Sequence, residues 1–187
     1  MSTKKFKFTN ETKNFDGITL HRITATEDIP ARGVQKGELG GWIEKESNLA
    51  GDAWVSDNAR VYGNAWVSDN AQVCGDARVY GDAWVYGNAW VSDNAQVCGD
   101  AWVYGNAQVC GDAQVNSIRD YIVFKNWWSS GRYFTWTRSN NMWCVGCFYG
   151  TGEELITKAY KDSDQSGREY ERVVHYVESI LAKNDQK

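Results

Sequence analysis

The sequence predicts a mainly β fold: a parallel, triangular β-helix solenoid with a small N-terminal β cap and a C-terminal α+β module. Three observations predict it. Eleven six-residue units run without interruption from Gly51 to Asn116, each reading Gly/Asp-Asp/Asn-Ala-X-Val-X. The third place is always Ala, from Ala53 to Ala113, and the fifth is always Val, from Val55 to Val115. After Asn116 the repeat stops and a different composition begins. So short and strict a period marks a solenoid, in which each unit buries its apolar face only against its neighbours.

Within a unit, Ala and Val are two apart and point to one side of a strand, while the residue between them points away. Between units lie Gly-Asp, Gly-Asn and Asp-Asn pairs, which tolerate the bent or left-handed backbone of a tight corner. Three units close a triangle of 18 residues, so residues 18 apart stack on one face. The phase extends upstream through Leu49 and Ile43, making Gly40-Gly41-Trp42-Ile43 an imperfect first coil. With strands ~4.8 Å apart, the prism is on the order of 20 Å tall. Its two ends need covers, because an open ladder invites edge pairing. The flanks are the expected covers.

Sorting the outward places by eighteens gives three faces. The first stacks Trp54, Gln72, Trp90 and Gln108. The second stacks Arg60, Arg78, Gln96 and Gln114. The third is a tryptophan ladder of Trp66, Trp84 and Trp102, with Ser68, Tyr86 and Tyr104 in the next outward column. Such an aromatic wall exceeds what a soluble monomer usually exposes. Two readings compete for it: a subunit interface, with a trimer favoured, or a surface for a ligand or partner in which Trp and Tyr act as anchors.

The flanks read as separate units, giving an organisation of 1–38, 39–116 and 117–187. Phe6-Lys7-Phe8 and Ile18 to Ile23 predict two strands before the coils. After them, Tyr121–Phe124, Tyr133–Thr137 and Met142–Phe148 predict a three-stranded antiparallel meander. Two helices follow, opened by Thr151-Gly-Glu-Glu154 and Ser166-Gly-Arg-Glu169, both with capping-box spacing. Tyr170, Val173, Val174, Val177 and Leu181 form the apolar stripe of the second helix.

Composition narrows the function. The chain carries a formal net charge of −4. Residues 51–116 hold eight Asp against two Arg, so the coils are poor candidates for gripping duplex nucleic acid. No apolar run reaches the roughly 18 residues of a membrane span. Met1 to Phe8 reads as basic and polar rather than as a signal peptide, and five Cys is an odd number. These point to reduced thiols in a cytoplasm. Cys144-Val-Gly-Cys147 has the spacing of half a zinc site but has no second pair, so no metal or cofactor is expected. Trp127, Trp128, Arg132, Tyr133, Trp136 and Arg138 form a cluster able to stack on a base and fork onto phosphate. The competing reading is a sheet packing its aromatics on its helices.

The Val-to-Ala spacing of four, as in Val55 to Ala59, resembles the hexapeptide-repeat left-handed β-helix family. That resemblance implies left-handed winding. It also implies acyltransferase or carbonic-anhydrase relatives, which use a coil histidine or three histidines on zinc. Here the two histidines, His21 and His175, both lie outside the coils. Gly37-Glu-Leu-Gly-Gly-Trp-Ile-Glu-Lys-Glu46, the Gly-Asn-Ala-X-Val-Tyr coils and Gly146-Cys-Phe-Tyr-Gly-Thr151 resemble phage or prophage accessory proteins of unassigned role. The expectation is a non-catalytic binding protein that inhibits host antiviral defence, by sequestering a nucleotide-like signal or binding a host protein. The alternatives are an atypical acyltransferase and a structural virion or assembly component.

Overall fold

The computed structural model describes residues 4–184, so the beginning of the Met1–Phe8 segment lies outside the described residues. Eleven two-residue strands, each the X-Val pair of one unit, run from Trp54–Val55 to Gln114–Val115. They pair in parallel with the strand 18 residues on. β4 (Trp54–Val55), β7 (Gln72–Val73), β10 (Trp90–Val91) and β13 (Gln108–Val109) make the first face. β6 (Trp66–Val67), β9 (Trp84–Val85) and β12 (Trp102–Val103) make the third. β5 (Arg60–Val61), β8 (Arg78–Val79), β11 (Gln96–Val97) and β14 (Gln114–Val115) make the second.

Every repeat Ala and Val is buried, and together they form one continuous core. The backbone ladder climbs with them: Trp84 N–H donates to Ala101 O at 2.8 Å and Tyr86 N–H to Val103 O at 3.0 Å. Corners carry a polar ladder of their own. Asn70 Nδ2 donates to Asn88 Oδ1 (3.3 Å), Asn64 Nδ2 to Asp82 Oδ1 (3.0 Å) and Asn94 Nδ2 to Asp112 Oδ1 (3.2 Å). The Asp/Asn places thus link one coil to the next.

The N-terminal cap is larger than its sequence pattern predicts. β1 (Phe6–Phe15) and β2 (Ile18–Ala25) form a hairpin about an Asp16-Gly17 turn, and β2 pairs with β3 (Leu39–Ile43). The polar run from Thr9 to Asn14 hides this strand, because it lacks apolar alternation. β3 then pairs in parallel with β5, Ile43 opposite Val61, so the hairpin extends the second face into a seven-stranded sheet. Gly40 and Gly41 permit the approach. A Cβ at Gly40 would lie 2.5 Å from Ile23 Cγ1, and one at Gly41 would lie 2.8 Å from Ala59 O. Leu49 bridges to Val67, as the upstream phase requires. Fully buried Asn48 closes this first coil, its Nδ2 donating to Gly63 O and Ala65 O.

The C-terminal sheet has four strands, not three: β15 (Tyr121–Lys125), β16 (Tyr133–Thr137), β17 (Met142–Val145) and β18 (Phe148–Gly150). The predicted single strand Met142–Phe148 folds back on itself, with Val145 opposite Phe148 and Gly146 at φ 58° in the turn. α1 (Gly152–Asp162) starts at the Thr151 capping box, as the sequence indicates. α2 (Asp164–Asn184) starts earlier than the sequence indicates. Ser163 Oγ accepts from Ser166 N–H at 3.1 Å, so Ser163 caps the helix and Ser166 lies inside it, buried. Leu155, Ala159, Tyr170, Val174 and Val177 pack on Phe134, Trp136 and Trp143 to form a second core.

This module sits on the last coil. Gln108 N–H donates to Thr135 Oγ1 at 2.8 Å, Gln114 N–H to Ser139 Oγ at 2.7 Å, and the Tyr121 hydroxyl to Trp102 O at 2.8 Å. Burial pushes the Tyr121 hydroxyl up to about 12. Its folded pKa therefore exceeds the ordinary value of 10, so its contribution is intact below pH ~10 and is lost as pH rises toward 12. Tyr121→Phe should cost about 1 kcal/mol at neutral pH. The gap between wild type and variant should narrow in thermal melts taken above pH ~10; a gap that stays constant with pH would contradict this assignment.

Candidate functional site

The third face carries the aromatic wall where the eighteen-residue sorting places it. Trp84 and Trp102 stack with centroids 5.5 Å apart and planes 10° apart, and Tyr86 stacks on Tyr104 at 5.3 Å and 10°. Trp66 meets Trp84 edge-on at 5.4 Å and 76°. The ladder therefore runs along the solenoid axis, and the facing sides of Trp84 and Trp102 and of Tyr86 and Tyr104 cover each other. What it presents outward is ring edge, at Trp84 (41% exposed), Trp102 (46%) and Tyr104 (41%). Below Tyr86, Ser68 is buried and its hydroxyl has no partner. Burial raises the Tyr86 hydroxyl above its ordinary value.

Where the wall meets the C-terminal module it opens into two grooves that share Ile118. One, of about 610 Å³, is lined by Trp102, Asp100 and Arg119. The other, of about 490 Å³, is lined by Tyr104, Tyr121 and Tyr133. Ile118 is 50% exposed between them. The wall thus continues into a cleft of mixed lining around Ile118, which no single-coil pattern reveals.

The second face differs from its sequence picture. Arg60 and Arg78 do not stand free, because the tip of the β1–β2 hairpin folds over them. Two residues of β1 bulge between Phe8 and Thr12, where the register to β2 shifts. The hairpin end then brings Phe15 under both guanidinium groups, with Arg60 Cζ 4.6 Å and Arg78 Cζ 6.0 Å from the ring centroid. Phe15 also meets Tyr62 edge-on at 5.8 Å, and Tyr62 stacks on Tyr80 at 5.2 Å. Lys13 Nζ lies 4.1 Å above Trp42 and Arg22 Cζ lies 5.5 Å from it.

The terminal aromatic cluster is dispersed rather than assembled. Trp136 is 2% exposed, and its Nε1 donates to Asn141 Oδ1 at 2.9 Å. Trp128 packs edge-on against Tyr170 at 5.0 Å and Phe134 at 6.2 Å. Trp127 is 74% exposed and meets Trp128 edge-on. Arg132 and Arg138 flank the two ends of β16, a separation of about 20 Å at strand rise. The packing of a sheet on its helices accounts for Trp128 and Trp136, and the length of β16 keeps the two arginines apart.

Cysteines supply a correction. The reading of five reduced thiols fails at one pair, since Cys110 and Cys144 are joined by a disulfide with Cα atoms 6.4 Å apart. Spacing within the chain cannot show this, because β17 reaches the last coil only through the docking of the C-terminal module. The pair lies in a cleft of about 540 Å³ between the first face and the β17–β18 hairpin. Trp90 (42% exposed), Asp93, Cys74, Phe148 and Tyr149 line it. Trp90 Nε1 donates to Cys74 Sγ at 3.0 Å, and burial raises the Cys74 thiol above its ordinary value. Gln108 Oε1 accepts from Gly146 N–H at 3.0 Å and holds the hairpin turn in place. The sequence gives one trace of this cleft, the alternation of Trp and Gln on the first face.

Both histidines lie outside the coils. His21 stacks on Phe8 at 4.6 Å in the N-terminal hairpin, and His175 is exposed on α2. Among the described residues, no group of three His, Cys, Asp or Glu is placed to hold a metal ion. None of the described helices is long and apolar enough to cross a membrane.

With coils, caps and faces in place, the repeats can be compared with known families. Residues 53–69, 71–87 and 95–111 match the family model described as YdcK beta solenoid repeat. The chain is a β-solenoid repeat protein. No curated protein matches it. The matched segments cover coil residues alone, so the likeness concerns the scaffold.

Proposed function

We propose that this β-solenoid is a non-catalytic binding protein of the phage accessory type. It counters host antiviral defence by binding a host protein or by sequestering a nucleotide-like signal, and it acts as a homo-oligomer, with a trimer favoured. One observation carries the reading: the stripe of half-exposed Trp84, Trp102 and Tyr104 edges that runs into the Ile118 grooves. Aromatic edges set in a rigid parallel ladder keep little conformational freedom to lose on association, which suits them as anchors. Between the stacked rings there is no slot for a base, so along its length this face favours a protein surface over a nucleotide. The position of both histidines outside the coils supports a binding role over acyl transfer.

Trp102→Ser should separate the protein assemblies from one another. If three copies associate through the third face, light scattering on a sizing column gives a trimer for the wild type and a monomer for the variant. If the face takes a host protein, the wild type captures it from host lysate and the variant loses ~30–100-fold in affinity, as for a central aromatic anchor. An unchanged oligomeric state together with unchanged capture would remove the third face from the proposal. Turnover of an acyl-CoA substrate would remove the binding reading as a whole.

A further inference from the structure

The strongest unexplained feature outside the third face is a concentration of positive charge on an acidic scaffold. Registered pairing aligns Arg22, Trp42, Arg60 and Arg78 on successive strands β2, β3, β5 and β8. Three strand steps give this row a length of about 14 Å. Lys13 comes over it from the hairpin. Of these four cations, Arg22 alone has a carboxylate within salt-bridge reach among the described residues, Glu11 at 3.4 Å. Lys13, Arg60 and Arg78 have none, although the coils carry eight Asp.

Aromatic contacts orient these groups without neutralising them. A guanidinium laid over a ring keeps its in-plane N–H donors free to fork onto an oxyanion. Two buried donors at the same place, Arg60 Nε and Trp42 Nε1, have no acceptor. Burial first, then repulsion from Arg60 and Arg22, lowers the Lys13 ammonium to about 8, with Asp76 opposing. Asp16 adds a further carboxylate near Tyr62. Packing of the hairpin explains the stacking. It does not explain three unneutralised cations beside two orphan donors.

We propose that the seam between the N-terminal hairpin and the second face binds an oligophosphate, held by Arg60, Arg78, Arg22 and Lys13. The row is too long for one phosphate, and its charge suits a ligand with adjacent phosphoryl groups. This inference deepens the signal-sequestering arm of the proposed function. It uses a different face from the protein-binding stripe, so its failure leaves the Trp102→Ser test untouched.

The test is titration calorimetry of the full chain with sodium triphosphate and with ATP, in low salt. Wild type should bind triphosphate saturably, and equal or tighter binding of ATP tells a bare phosphate chain from a nucleotide. Arg78→Gln should weaken binding about tenfold or more. Lys125→Gln, which removes a cation on β15, should leave it unchanged. At pH 8 the bound anion should recharge Lys13, so binding takes up protons, read as heats that differ between buffers of different ionisation enthalpy. Lys13→Met should abolish that uptake while circular dichroism and melting stay those of a folded protein. Absence of saturable heat in the folded wild type would overturn the proposal. So would equal weakening by Arg78→Gln and Lys125→Gln, or proton uptake that survives Lys13→Met.

Discussion

Val85→Asp is expected to abolish cooperative folding of the solenoid at ambient temperature. Val85 is fully buried in the third sheet, with Val67 and Val103 in register on either side. A carboxylate there faces Val and Ala and finds no partner, and an unpaired buried charge costs several kcal/mol. The loss spreads because a solenoid is nearly one-dimensional. Each coil is stabilised chiefly by the coil before and the coil after, so a failed middle coil opens two unprotected ladders. Far-ultraviolet circular dichroism should show loss of β signal, with hydrogen exchange unprotected on both sides of the lesion. Val85→Ala is the milder control. It removes two methyl groups and should cost roughly 1–3 kcal/mol while retaining a single transition. Retention of a wild-type melting temperature by Val85→Asp would contradict a dry interior.

Gly75→Asp places the same residue at a corner and should destabilise for another reason. Corners carry Gly or Asp in the left-handed region, alternating in the column Asp57, Gly75, Asp93 and Gly111: Asp57, Asp69 and Asp93 have φ of 55°, 57° and 58°, and Gly75 has 69°. In each case the carboxylate reaches the corner amide one coil on. Asp57 Oδ2 accepts from Gly75 N–H at 3.0 Å, Asp69 Oδ2 from Gly87 at 3.1 Å and Asp93 Oδ2 from Gly111 at 3.0 Å. The amide that donates to the carboxylate belongs to Gly every time, so at this left-handed place no Asp stacks directly on Asp, whereas at the place that follows Asp82 lies under Asp100. Gly75→Asp would create that stack, Asp57 below and Asp93 above, with carboxylates about one strand spacing apart. Its Cβ would also lie 2.9 Å from Asp93 N, and that backbone atom has nowhere to go. The expected cost is about 2–3 kcal/mol. Its electrostatic part should shrink in high salt and as pH falls through the carboxylate range, whereas the steric part should not. Chemical denaturation at two salt concentrations separates them. A cost independent of both salt and pH would mean that sterics alone keep Asp from following Asp in this column.

Much of the scaffold is legible in the chain because its cause is local and periodic. Val and Ala two apart must share a side, and a repeat of six in a three-sided coil must stack residues 18 apart. Trp66, Trp84 and Trp102 could therefore be placed on one face from spacing alone. The Thr151 capping box is equally local and equally legible. Ser163 is not, since the sequence offers two serines three residues apart, and only the docking of α2 against α1 decides which one caps.

What the sequence does not carry is contact between segments that share no period. The β1–β2 hairpin folds over Arg60 and Arg78 because a bulge between Phe8 and Thr12 bends it, and no pattern in the polar run from Thr9 to Asn14 announces that bend. The Cys110–Cys144 pair forms because Gln108 and Thr135 seat the C-terminal sheet on the last coil. Trp136 and Arg138, adjacent in a sequence cluster, part company because one faces the helices and the other faces outward at a strand end. The sequence by itself determined the repeat, the buried Ala and Val columns and the contents of each face, since strand alternation and coil closure are fixed by local geometry. Tertiary structure alone decided which faces stay open. Capping modules are held to the coils by side-chain packing between distant segments, and that packing leaves the third face exposed while it draws the hairpin across the second.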